Sequence, residues 1–268
     1  MNDRTRQALV AASLVAMVTM NGAANGLPLN GQTTGQISNR FPVPITPAGY
    51  VFAIWGLIYS GLIGYVVYQA LPGQARNPRL RRIGPLFMIS CVANMVWLLL
   101  WHYNRYKLTL PAMITLLGCL IAIVSRLDAE VKCQETANES VELSPDTKPQ
   151  VAPISTREFL LVDLPFRTYL GWISVATIVN VAVVLYDAGW DGFGLDAQTW
   201  TTLMLGTGAT LAGGQAIVRR DAAFALVLAW AFIGVARKQP EGALAGPAGW
   251  AAAAISLVAA GAALFRRH

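Results

Sequence analysis

Charge is what this sequence has least of. Only 13% of its 268 residues are Asp, Glu, Lys or Arg, where an ordinary soluble domain carries about 25%. Histidine is nearly absent: His102 and the terminal His268 cannot make a multi-histidine metal site. Three cysteines, Cys91, Cys119 and Cys133, form no C-x-x-C pair. Two fall in apolar runs and one in a charged stretch, which argues against a disulfide or zinc framework. The four lysines, Lys107, Lys132, Lys148 and Lys238, all read as loop residues, so no span offers a Schiff base to retinal. No nucleophile and base stand together in a recognisable motif.

What is abundant is apolar, 55% of the chain. Crossing about 30 Å of hydrocarbon takes roughly 20 apolar residues at 1.5 Å each. Eight uncharged runs approach that length, at about 8–27, 48–71, 83–103, 108–125, 168–186, 199–218, 222–236 and 246–265. They predict an all-α fold, a polytopic membrane helical bundle. The first run has a rival reading, because Arg4 and Arg6 followed by "ALVAASLVAMV" and the small residues of "NGAANG" also fit a secretory signal peptide. With a cytoplasmic N-terminus, fifteen of the twenty Lys and Arg fall inside and five outside, the bias that cytoplasmic loops show. The expectation is an integral protein of a bacterial inner membrane with both termini cytoplasmic. Those cations account for the net charge of +6 beside anionic headgroups, with no call on nucleic acid.

Two polar stretches interrupt the runs. Residues 27–47, "LPLNGQTTGQISNRFPVPITP", are too polar to span and read as a structured outside loop, long enough to be functional and to fold over the mouth of a bundle. Residues 128–158 are acidic, contain Pro and lack aromatics, which predicts a mobile cytoplasmic linker. "NES" at Asn138 is then a chance match to a glycosylation pattern. "DAGWDGFGLDAQ" carries Asp187, Asp191 and Asp196 without the spacing of a calcium loop. No convincing internal repeat is present.

Within the runs stand side chains with polar handles. An amide in hydrocarbon needs a hydrogen-bond partner, so Asn94 and Asn180 read either as glue between helices or as anchors in a ligand cavity. Trp55 and Tyr59, like Trp97 and Trp101, are four apart on one helical face, and Asn94 is three before Trp97. An interfacial belt accounts for Trp101, Trp190, Trp200 and Trp250. Trp55 and Trp97 lie deeper, and an aromatic wall with a few N–H and amide groups suits a flat, mostly apolar molecule.

"TPAGYVFAIWGLIY", "NMVWLLLW" and "PFRTYLGWISVATIVNVAVVLY" resemble the second, third and fifth helices of the tryptophan-rich sensory protein/translocator protein family (TspO/MBR, the peripheral benzodiazepine receptor family). The resemblance covers about residues 8–190. It implies a five-helix bundle over 1–190, with 128–158 as a linker inside it, whose cavity binds porphyrins, haem precursors or lipid-like molecules under the first loop. Carried over to the matching positions, Phe52, Trp55 and Tyr59 would line that cavity from the second helix, Asn94 and Trp97 from the third, and Phe166, Trp172 and Asn180 from the fifth. No cofactor is required on this reading, porphyrin or haem being the ligand, and the expected partners are a tetrapyrrole or lipid-like molecule, membrane lipids and a second copy of the chain in a homodimer.

The sequence departs from the family pattern in three places. "ITPA" keeps Pro47 but lacks the tryptophan of the usual Trp-x-Pro-Pro, the compact loop between helices four and five is replaced by the acidic stretch, and three more helices over 191–268 follow. The function implied is a membrane binding protein or sensor that moves its ligand or helps degrade it. A facilitative transporter of another apolar solute and a structural membrane protein are the alternatives. Arg167 and Asp221, the candidate intramembrane charges, stand at helix ends, which argues against ion-coupled transport. "LWHYNR" as a sterol pattern and His102 as a haem ligand are weaker readings of the same helix end.

Overall fold

The computed structural model describes residues 2–27, 29–142 and 154–265, with side chains described outside 132–142. Among the described residues the regular structure is helical: α1 (Asp3–Gly26), α2 (Thr34–Ser38), α3 (Ile54–Ala70), α4 (Pro78–His102), α5 (Tyr106–Glu142), α6 (Thr156–Glu158), α7 (Leu164–Asp187), α8 (Ala197–Arg219), α9 (Ala222–Lys238) and α10 (Ala245–Phe265). A 3-10 turn, Gly49–Ala53, leads into α3, and a π-helical turn, Phe159–Asp163, joins α6 to α7. Among the described residues six segments are long and apolar enough to cross a membrane: Asp3–Gly26, Gly49–Ala70, Pro78–His102, Tyr106–Val131, Thr156–Asp187 and Ala245–Phe265. The chain is an integral, polytopic helical membrane protein. α8 and α9 occupy the other two apolar runs; α9, with 17 residues, is about 26 Å long, just under a hydrocarbon core.

Local chemistry sets the helix starts. Asn2 accepts from the Arg4 N–H, Asn77 from Arg79 ahead of Pro78, Asp196 from Gln198 and Thr199, and Asp221 from Phe224, each meeting an N–H the helix cannot satisfy itself. The acidic stretch differs from its expectation. α5 runs on through "DAEVKCQETANESVE" to Glu142, because Ala, Glu, Lys and Gln favour helix and no Gly or Pro interrupts them. Cys133, Lys132 and Asn138 are on that helix rather than in a loop. Residues 143–153, with Lys148, and the terminal His268 lie outside the described residues.

α1 packs on α3 and α4, α5 on α4 and α7, and α9 on α7, α8 and α10. α1 is thereby part of the bundle, burying Val10, Leu14 and Met17, while Arg6 donates to the carbonyls of Ala75 and Leu80. The core between α3, α4 and α7 centres on Tyr65, Phe87 and Phe166, whose ring centroids are 4.9–5.7 Å apart. At the same end of the bundle, Arg79 pairs with Glu130 at 3.2 Å, Glu158 at 2.9 Å and Asp163 at 2.9 Å. Arg167 bonds Asp128 and, at 3.0 Å, Asp221, and Arg219 reaches Asp128 at 3.0 Å. Arg167 and Asp221 are thus buried and paired with each other, which joins the start of α9 to α7.

Candidate functional site

A cavity of about 720 Å³ opens between α1, α3, α4, α7 and the 33–49 segment, within the range of small-molecule sites, roughly 300–1,000 Å³. Six aromatic side chains line it: Phe52, Trp55, Tyr59, Trp97, Trp101 and Trp172. Trp55 stacks on Tyr59, centroids 5.4 Å apart and planes 22° apart, and Trp97 on Trp101 at 5.4 Å and 19°. These are the two i, i+4 pairs, brought into register by one helical turn. Trp172 from α7 turns its ring edge-to-face with both Phe52 at 5.6 Å and Trp55 at 6.0 Å, an arrangement the ring quadrupole favours. The polar lining is neutral: Asn21 and Asn25 of α1, Thr33, Thr34, Ser38, Asn39 and Thr46 of the loop, and Asn180 of α7. Among the described residues that line the cavity there is no Asp, Glu, Lys, Arg or His.

Phe52, Trp55, Tyr59, Trp97, Trp172 and Asn180 are therefore in the lining, whereas Asn94 and Phe166 are not. Phe166 precedes Trp172 by six residues, which at 3.6 residues per turn turns it about 120° away around α7, and it is spent on Tyr65 and Phe87 instead. Asn94 is buried beneath the cavity, accepting from Asn21 Nδ2 at 2.8 Å and donating to the Tyr169 hydroxyl at 3.4 Å. It ties α1, α4 and α7 together. Asn180 does similar work at the wall: Trp97 Nε1 donates to its Oδ1 at 2.7 Å, and its Nδ2 donates to Thr109 Oγ1 at 2.9 Å. An indole N–H only donates, so the orientation of this amide is determined. Asn180→Ala should cost about 1–3 kcal/mol because the Trp97 N–H is left unmet. The check is the unfolding midpoint in detergent, where most of that loss should vanish in a Trp97→Phe background.

Trp101 is not a belt residue. It is 4% exposed and packs against Tyr106 and Phe41 as well as Trp97, whereas Trp250, 48% exposed, keeps the belt reading. His102 is buried outside the cavity, its Nδ1 2.8 Å from the Leu98 carbonyl and its Nε2 3.5 Å from Thr34 Oγ1, so neither ring nitrogen is offered to a haem iron in the cavity. Sequence reasoning missed the contribution of α1, although Asn21 and Asn25 in "NGAANG" are four apart on one face. Val175, Ala176 and Val179 carry no such signal; they matter by being small enough to leave the space open. Trp172 Nε1 and Thr46 Oγ1, on two lining residues, are buried without a hydrogen-bond partner among the described residues.

The family model described as "TSPO-like protein" matches residues 7–265, a span that takes in α8, α9 and all of α10 along with the five-helix segment. No curated protein matches the chain, and neither does any solved structure.

Proposed function

The chain belongs to the TSPO-like protein family, and on that premise we propose that it binds a flat, mostly apolar molecule of tetrapyrrole size in the cavity beneath the 27–47 loop. The observation that carries this reading is the lining itself: six aromatic rings around about 720 Å³, with amides and hydroxyls as the polar groups. Rings of that kind contribute large contact area at little conformational cost. The neutral lining favours an uncharged form of such a ligand. Carboxylates would find no cation there and would have to be held at the rim by Asn25, Thr33, Ser38 and Asn39. An esterified porphyrin should thus bind at least as tightly as the free acid, since burying an unpaired charge is costly. The Lys and Arg asymmetry supports cytoplasmic termini in a bacterial inner membrane.

The test is a titration of the purified, detergent-solubilised protein with protoporphyrin IX and with its dimethyl ester, followed by tryptophan fluorescence. Saturable quenching at micromolar ligand is expected, corresponding to about −8 kcal/mol. Trp55→Ala should weaken it about tenfold or more, as loss of a central aromatic contact does, while Trp250→Phe should leave it unchanged. Quenching that never saturates, or that is the same in Trp55→Ala, would remove the reading.

A further inference from the structure

α9 does not line the cavity, yet it grips the segment that does. Residues 44–52 face two ways: Thr46, Pro47, Gly49 and Phe52 border the cavity, while Pro44, Ala48 and Val51, and the Pro47 ring as well, meet α9. The Ala48 N–H donates to the Gly234 carbonyl at 3.1 Å, Trp230 Nε1 donates to the Val51 carbonyl at 3.0 Å, and Gln239 Nε2 to the Pro44 carbonyl at 2.8 Å. Trp230 also meets the Tyr50 ring edge-to-face at 5.3 Å. The approach is close enough to require glycine: a Cβ on Gly234 would lie 2.1 Å from Val51 Cγ2 and 3.2 Å from Pro47 Cβ. Neither neighbour yields easily, because Val51 is fully buried and stiff at χ1, and the ring of Pro47 is rigid. Behind this contact α9 is backed by α7, where Gly171 lets Val227 approach.

We infer that α9 is a clasp that fixes the cavity rim and thereby sets how readily a ligand enters and leaves, with Gly234 and Trp230 as positioning residues for Pro47 and Phe52. The inference rests on the cavity being the binding site, and its mechanism is mechanical. Hydrogen bonds to the backbone of 44–51, one from the backbone and two from side chains, hold it against a buried helix, so the rim it carries can move only where the clasp allows.

Two readouts test it, one of them independent of any ligand. In a background with Cys91, Cys119 and Cys133 replaced, Thr46→Cys places a thiol at the buried rim, and its rate of maleimide labelling in detergent reports rim opening. Trp230→Phe, which keeps the ring and removes the N–H, and Gly234→Ala should each raise that rate about fivefold or more, the factor carried by a single hydrogen bond or a comparable strain. Adding Val51→Ala to Gly234→Ala removes the clashing methyl and should return the rate to within about twofold of the parent, since contacting residues couple in such cycles. Stopped-flow quenching by protoporphyrin IX dimethyl ester should show the same order in the dissociation rates. Labelling that is equal in all variants, or a Gly234→Ala rate that Val51→Ala fails to lower, overturns the clasp. If the parent protein does not bind the porphyrin at all, the ligand reading falls while the labelling still decides the clasp.

Discussion

Arg79→Leu is expected to destabilise the bundle by about 3–5 kcal/mol, the cost of leaving buried carboxylates without their cation. Arg79 is 5% exposed and faces three acids. It grips Asp163 through both oxygens at 2.9 and 3.1 Å, donates to Glu158 at 2.9 Å and lies 3.2 Å from Glu130. That last contact is an ion pair without hydrogen-bond alignment, since Arg79 Nε and Glu130 Oε2 have no hydrogen-bonded partner among the described residues. Glu130 keeps Arg82 at 2.8 Å and loses least. Asp163, 1% exposed, loses most, so the effect is dominated by that one residue. Adding Asp163→Asn to Arg79→Leu should therefore recover a large part of the loss, and Arg79→Lys should rescue poorly because an ammonium lacks the planar fork. Denaturant or thermal unfolding in micelles measures all three; a loss below about 1 kcal/mol for Arg79→Leu would place the pair in the class of weak surface bridges and refute the argument.

Phe166→Ala is the second large effect, about 3–5 kcal/mol for deleting a fully packed ring. In a bilayer the transfer of apolar surface out of water supplies little between helices, but the lost packing contacts and the void remain. Phe166 is fully buried, with Tyr65 at 4.9 Å and Phe87 at 5.7 Å. Because it does not border the cavity, the folded fraction of Phe166→Ala should bind the porphyrin ester as the parent does. Trp172→Ala, less than two turns further along α7, should instead lose affinity. A Phe166→Ala protein that keeps its stability and loses binding would reverse the roles assigned to these two residues.

The membrane class, the eight helical runs and both stacked aromatic pairs were legible in the sequence, because each depends on neighbours within one or two turns. Length and apolarity define a span, and the i, i+4 spacing of Trp55 with Tyr59 and of Trp97 with Trp101 puts them on one face whatever the helix packs against. The end of α5 was not legible, because acidic composition and helix propensity point opposite ways there, and an uninterrupted run of Ala, Glu, Lys and Gln can continue a helix beyond the apolar span.

Which way each face turns was another matter. Asn94 and Asn180 look alike as intramembrane amides, yet one lies under the cavity and the other in its wall. Trp101 looks like a belt residue until α2 and the loop cover it. Arg167 and Asp221, 54 positions apart, each look like a helix end until folding pairs them at 3.0 Å. Gly234 carries no signal of its own, since its importance is the distance to Val51. By itself the sequence determined that this is a helical membrane protein with aromatic faces, because hydropathy and helical period are local properties. Tertiary structure decided which of those faces enclose space, which amides serve as glue and what α9 holds, because the rotation of each helix is set by partners distant in the chain.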